Sequence, residues 1–238
     1  MQRTLSQLGL HWDGEVEYQS RQLSLFEEAI AELRRRKLTY ACQCTRRMRG
    51  EFEESAYPGT CRDRDVSARP AALRFRVDAA ETVRFTDRFQ GPCEFALRTL
   101  GDVVIRRRDG VFAYQLAVIV DDAAQGVTDV VRGADLLEST AWQIPLQRAL
   151  GLPTPRYAHL PLVVEPGGAK LSKSLRAVSL QPERASHELI AALNLLRQDA
   201  PAELLRETPQ MIVKWALGNW KPANLERVQK ATAAVKLA

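Results

Sequence analysis

Between Arg21 and Arg36, Leu23, Phe26, Ile30 and Leu33 recur at helical spacing with charged residues between them. This predicts an amphipathic helix ending near Lys37. The period is lost over residues 41–65, where cysteines, arginines, Pro58 and Gly59 predict a loop-rich insert. Ala72-Leu73-Arg74-Phe75-Arg76-Val77 then alternates apolar and basic residues, as a strand does. A second strand-like run over residues 102–108 passes through Asp109-Gly110 into Val111-Phe112-Ala113-Tyr114, and Asp-Gly in that position predicts a hairpin. An apolar segment ends at Gln125-Gly126, and residues 127–131 read as a buried strand with Arg132-Gly133-Ala134-Asp135 at its carboxyl end. Ser139 or Thr140 would cap a helix running to Leu150, stopped by Gly151 and Pro153. Leu160-Pro161-Leu162-Val163-Val164 is the next strand. From Pro182 onward, Leu189, Ile190, Leu193, Leu195 and Leu196, then Ile212 and Trp215, predict a small helical tail.

Strand, helix, strand and loop in that order form one half of an open α/β sheet, which binds ligands outside the carboxyl ends of its strands. The loop just beyond the last strand reads Pro166-Gly167-Gly168-Ala169, followed by Lys170-Leu171-Ser172-Lys173-Ser174. Two glycines permit backbone angles closed to other residues. Lysines three apart can then close on one polyanion, as a loop gripping a triphosphate during reaction would. Arg132 and Lys173 fall on the same side of this sheet, where a nucleotide is expected.

Composition narrows the setting. With 238 residues there is room for one large domain or two modest ones, and 45% hydrophobic with 26% charged residues is ordinary for a soluble globular protein. The net charge of +5 permits a nucleic-acid partner without requiring one. The first residues lack the apolar core of a signal peptide, and no run approaches the roughly 20 apolar residues of a membrane span, so a cytoplasmic location is expected. Cys42, Cys44 and Cys61 lie within twenty residues of one another, which points to a metal site before disulfides. Spacing leaves the fourth ligand open: Cys93 is the ordinary chemical choice and Tyr57 the rare one. His11, His159 and His187 are far apart and read as structural histidines. Asp121-Asp122 reads as the exposed end of a helix, and Arg106-Arg107-Arg108 as either a phosphate contact or a solvated strand edge.

Together these segments resemble the class I glutamyl-tRNA synthetases, and most closely the short branch that attaches glutamate to queuosine in tRNA(Asp). The resemblance runs through Leu10-His11-Trp12-Asp13-Gly14, Tyr18-Gln19-Ser20-Arg21 and the Cys42/Cys44/Tyr57/Cys61 set. It continues through residues 107–117, Val131-Arg132-Gly133-Ala134-Asp135-Leu136 and His159-Leu160-Pro161-Leu162, and closes on Lys170-Leu171-Ser172-Lys173-Ser174, a form of the KMSKS signature. It implies a partial class I synthetase catalytic domain of Rossmann-like α/β fold over residues 1–181, with a zinc-bearing insert at about 41–65. A short helical tail over 182–238 would follow, with no anticodon-binding domain.

By the same resemblance, Tyr114 and Arg132 bind glutamate, Lys170 and Lys173 bind ATP with Lys173 catalytic, and Cys42, Cys44, Tyr57 and Cys61 hold Zn2+. The implied reaction activates glutamate with ATP, accompanied by Mg2+, and transfers it to the wobble queuosine of tRNA(Asp). A monomer without membrane attachment is expected. The resemblance further implies that the family's first strand, His-x-Gly-His-like loop and helix lie upstream of Met1, so that pyrophosphate exchange would require that segment. Two alternatives are a truncated glutamyl-tRNA synthetase and a non-catalytic zinc-binding remnant that binds tRNA or a protein.

Overall fold

The computed structural model describes residues 2–45, 57–64, 66, 70–164 and 181–232. A short helix α1 (Gln2–Gln7) precedes α2 (Leu23–Arg35), whose apolar positions behave as their spacing predicts: Phe26, Ile30 and Leu33 are buried. Leu23, at the edge of the stripe, is half exposed.

β1 (Thr39–Cys42), β2 (Ala72–Phe75) and β5 (Val103–Arg106) form an antiparallel sheet with β2 in the centre. Alternation correctly marks β2 as a strand, yet its basic position is dry. Arg74 is buried, lying 3.7 Å over the Tyr57 ring and donating to the Asp102 carbonyl at 2.6 Å. Between β2 and β5 lies a hairpin without counterpart among the predicted elements, β3 (Thr82–Asp87) and β4 (Gly91–Ala96), followed by the one-turn helix α3 (Leu97–Leu100).

The hairpin predicted around Asp109-Gly110 is corrected. A turn is present, but pairing beyond it stops at one bridge between Arg106 and Phe112. The chain instead enters α4 (Tyr114–Ala124), because Leu116, Ala117, Ile119 and Val120 recur at helical spacing and are buried together. Phe112 turns inward against Phe26, with ring centroids 5.1 Å apart.

β6 (Asp129–Gly133), α5 (Leu137–Leu150) and β7 (Arg156–Leu160) form the parallel unit. β6 and β7 pair in parallel with Arg132 opposite His159. β6 is less buried than expected, since Val131 is 62% exposed. Neither Ser139 nor Thr140 caps α5. The helix starts earlier, after a 3-10 turn over Ala134–Leu136, and both hydroxyls face inward to bond other side chains. It does end where predicted, on Gly151 in the left-handed conformation (φ 69°).

The strand predicted over residues 160–164 is two. Pro161 lacks the N–H that would continue a ladder, so β7 ends at Leu160 and β8 (Leu162–Val164) turns to a different partner, β9 (Lys230–Thr232), in parallel. The expected tail helices are α6 (Ala185–Leu195) and α7 (Pro209–Asn219), which bury Ile190, Leu193 and Ile212 against one another. Thr208 caps α7, accepting from the Met211 N–H at 3.4 Å.

The main core joins α2, β2, β3, α4, α5 and Tyr157 of β7. A separate small cluster contains Tyr40, Cys42, Tyr57 and Cys61. Among the described residues no helix is long and apolar enough to cross a membrane.

Candidate functional site

Two centres contain most of the residues singled out from the sequence. The first lies at the carboxyl end of β6. Arg132 is the fourth residue of that strand, and its guanidinium is gripped from several directions. Nε donates to His159 Nε2 at 3.0 Å. Nη2 donates to Thr140 Oγ1 at 2.7 Å, Gln143 Oε1 at 2.8 Å and the Leu136 carbonyl at 3.3 Å. Nη1 donates to the hydroxyl of Tyr114 at 3.3 Å, and the Tyr157 ring lies 5.3 Å from the guanidinium carbon. Tyr114 opens α4 and is 46% exposed, so the Nη1 corner is the one that faces solvent.

Among the described residues no carboxylate bonds the Arg132 guanidinium, whose partners are a hydroxyl, an amide, a carbonyl, a phenol and the His159 ring. A partly buried guanidinium so held is poised for an anionic ligand at the Nη1 hydrogen that Tyr114 does not take. Tyr114, accepting from Nη1, keeps its own proton free to donate to the same ligand.

The supporting residues were not apparent as a group from the sequence. Gln143 is held by Gln115, accepting its amide N–H at 2.8 Å, and Gln115 donates to Ser139 at 2.9 Å. His159, assigned a structural role from sequence, is fully buried and contacts Arg132 on one side and Asp87 on the other. Asp87 accepts from the N–H groups of Phe89, Gln90 and His159. Burial pushes its carboxyl up, but these bonds and that to the His159 ring outweigh it and hold it below the usual carboxylate range. Asp122, near Arg132, is raised by burial, which the Arg132 charge only partly opposes.

The second centre is the thiol cluster. Cys42 ends β1, Cys44 follows two residues later, and Tyr57 and Cys61 return from the other side of the insert. Gly59 makes that return tight, with φ at 76° and its carbonyl accepting from the Arg62 N–H at 2.7 Å. The three sulfurs lie within 4.8 Å of one another, and the Tyr57 hydroxyl is 3.3 Å from Cys42 Sγ and 3.4 Å from Cys44 Sγ. Zinc bonded to sulfur at about 2.3 Å sets tetrahedral sulfurs about 3.8 Å apart, so three thiols and a phenol in this arrangement fit the ion.

The protonation preferences are uneven. Burial pushes the Cys61 thiol up, but the Gln43 N–H and hydrogen bonds from Tyr57, Cys44 and Cys42 outweigh it and bring it down to about 7. Burial raises Cys44, and burial with the Cys42 and Cys44 thiols raises the Tyr57 hydroxyl. A bound cation would reverse both, since it favours the deprotonated ligand.

The cluster is tied to the sheet through Asp102, a buried carboxylate absent from the candidates. It accepts from Tyr40 at 2.5 Å, from the Val77 N–H at 2.9 Å and from the Arg62 guanidinium, next in sequence to Cys61. Cys93 sits elsewhere, in β4, with its Sγ 3.5 Å from the Gly91 carbonyl. Of the arginine run, Arg106 pairs with Glu27 and Arg107 with Asp109, while Arg108 reaches the Gln43 carbonyl. Lys170 and Lys173 lie outside the described residues.

Known proteins share this arrangement of sequence and fold. The glutamyl-Q tRNA(Asp) synthetase of Pseudomonas paraeruginosa is 47% identical over 225 residues, covering 94% of this chain and 76% of its own. The enzyme of the same name from Pseudomonas putida is 47% identical over 221 residues, covering 92% of this chain and 73% of its own. Among solved structures, the glutamate tRNA ligase of Elizabethkingia meningosepticum superposes with a TM-score of 0.72 at 21% identity. The superposition covers 98% of this chain and 56% of the ligase, so this chain spans about half the length of that protein. At that identity the likeness shows the fold, a Rossmann-like α/β catalytic domain. The pattern of the tRNA synthetases class I (E and Q), catalytic domain, matches residues 1–188, and the chain belongs to this family.

Proposed function

We propose that this protein activates glutamate with ATP and transfers it to queuosine at the wobble position of tRNA(Asp). The observation that carries the glutamate part is Arg132, a guanidinium that no carboxylate bonds among the described residues, with its open corner beside the Tyr114 hydroxyl. A carboxylate placed there takes the remaining Nη1 hydrogen and the Tyr114 proton, which orients an acidic amino acid and leaves its other carboxylate to attack the α-phosphate. The mixed anhydride then passes its acyl group to a hydroxyl of the modified base, forming an ester as the acyl–phosphate bond breaks and AMP and the hydroxyl proton leave. No covalent enzyme intermediate is needed, so the protein contributes positioning and charge stabilisation. Lys170 and Lys173 act on the ATP phosphates, with Mg2+ accompanying the nucleotide, and Lys173 steadies charge on the departing pyrophosphate. The queuosine acceptor follows the names of the relatives at 47% identity, which cover nearly the whole chain.

Zn2+ is held by Cys42, Cys44, Tyr57 and Cys61 and has a structural part. With these four residues as ligands the ion would have no open position for a substrate. Cys42 and Cys61, as ligands, would join the far end of β1 to the loop carrying Arg62, which Asp102 ties to the sheet.

Amino-acid-dependent exchange of labelled pyrophosphate into ATP tests the first half-reaction. Exchange should require glutamate and fail with glutamine, whose neutral amide cannot use the guanidinium charge. Equal exchange with both amino acids would contradict the role given to Arg132.

A further inference from the structure

His159 and Asp87 belong to neither of the assigned sets, yet both are almost wholly inaccessible, at 0% and 1% exposure. Arg132 Nε carries a hydrogen in every protonation state, so at 3.0 Å His159 Nε2 must be the acceptor. The ring's hydrogen is then on Nδ1, which lies 2.6 Å from Asp87 Oδ2. The other tautomer, or an imidazolium, would set two N–H groups against each other. Asp87 cannot swing away, because it also accepts from the N–H groups of His159, Phe89 and Gln90 at about 3 Å. The ring's backbone is pinned as well, with Gln90 Nε2 donating to the His159 carbonyl at 2.9 Å. Thr140 Oγ1 at 3.4 Å and the stacked Tyr157 ring also lie against the imidazole.

From this geometry we infer that Asp87 and His159 are positioning residues for Arg132. Asp87 selects the Nδ1–H tautomer, and the bare Nε2 of His159 fixes the plane in which the guanidinium meets the substrate carboxylate. The inference rests on the proposed contact between Arg132 and glutamate, and it places a determinant of glutamate affinity at the last residue of β3. A carboxylate–imidazole pair suits the task, because it presents a strong acceptor to Arg132 without placing an anion against it. A carboxylate there would compete with the substrate for the same cation.

Two readouts test it. Side-chain nitrogen NMR of the protein reads the tautomer, and at neutral pH His159 should carry a proton on Nδ1 alone. A proton on Nε2 overturns the proposal. Glutamate affinity by calorimetric titration, with ATP affinity as control, reads the consequence. His159→Leu should weaken glutamate binding about 10- to 100-fold, as expected for one lost hydrogen bond to a charged group, with ATP binding unchanged. His159→Gln, which restores an acceptor near the Nε2 position, should recover most of the loss. In an Arg132→Ala background, His159→Leu should add little, because the two residues act as one unit. Unchanged glutamate affinity in His159→Leu, with a loss in Arg132→Ala, overturns the positioning role and leaves the glutamate site standing. Unchanged affinity in Arg132→Ala overturns the glutamate site itself. Should His159→Leu fail to fold, His159→Gln and the tautomer of the unaltered protein still decide the matter.

Discussion

Arg132 holds its charge among a hydroxyl, an amide, a carbonyl, an imidazole and a phenol, and this makes it sensitive to shape as well as charge. Arg132→Lys keeps the cation but cannot bond His159, Gln143 and a carboxylate at once. The KM for glutamate should therefore rise about 10- to 100-fold in Arg132→Lys, the scale of a lost charged hydrogen bond, with the KM for ATP little changed. Steady-state pyrophosphate exchange would show it. At the thiol cluster, elemental analysis should find about one zinc per chain, lowered in Tyr57→Phe and retained in Cys93→Ala, because Cys93 stands apart in β4. Zinc lost on changing Cys93 and kept on changing Tyr57 would reverse the assignment. Tyr114 and Arg132 stood out together through the family motifs, as did the thiol set, and the structure brings each group together. Their supports did not stand out: Asp87, Asp102, Thr140 and Gln143 converge from distant elements, and nothing in local spacing signals that convergence.

At the scale of elements, periodicity succeeded where one face is buried and failed where tertiary contacts take over. α2 and the two tail helices were legible from their apolar spacing. The segment after Gly110 begins like a strand and becomes α4, because the helical stripe downstream captures Tyr114. Pro161 splitting one predicted strand into β7 and β8 could have been read from its missing N–H. The end of β3 carries a pH signature. Asp87 titrates below its ordinary value, so its contribution to stability is present above about pH 4, the unfolded carboxylate range, and is lost as pH falls through the folded value. Acid unfolding followed by circular dichroism should therefore be less steep in Asp87→Asn than in the unaltered protein. At the end of α5, Gly151 sits at φ 69° with open space around it, so Gly151→Ala should cost about 1 kcal/mol through backbone strain alone. A lowered thermal midpoint with unchanged glutamate KM is the expected outcome.

Across the whole molecule, the thiol cluster is a core of its own, distinct from the one that joins α2, β2, α4 and α5. Chelation should accordingly release the end of β1 and its insert while the main core stays folded. Hydrogen exchange should rise around Cys42 and Cys61 and remain slow in α4 and α5. The α/β class was legible from the order of strand, helix and strand, but not the sheet partners, since long-range pairings such as β1 with β2 and β8 with β9 leave no local mark. Nor does fold alone distinguish a protein that charges a tRNA terminus from one that modifies a tRNA base. The acceptor decides between them. The most direct measurement is transfer of labelled glutamate by the product of the full reading frame, offered tRNA(Asp) with queuosine, tRNA(Asp) without it, and tRNA(Glu). Label should appear only on queuosine-bearing tRNA(Asp) and should disappear with Arg132→Ala. Label on the terminus of tRNA(Glu), or on none of the three, would contradict the account.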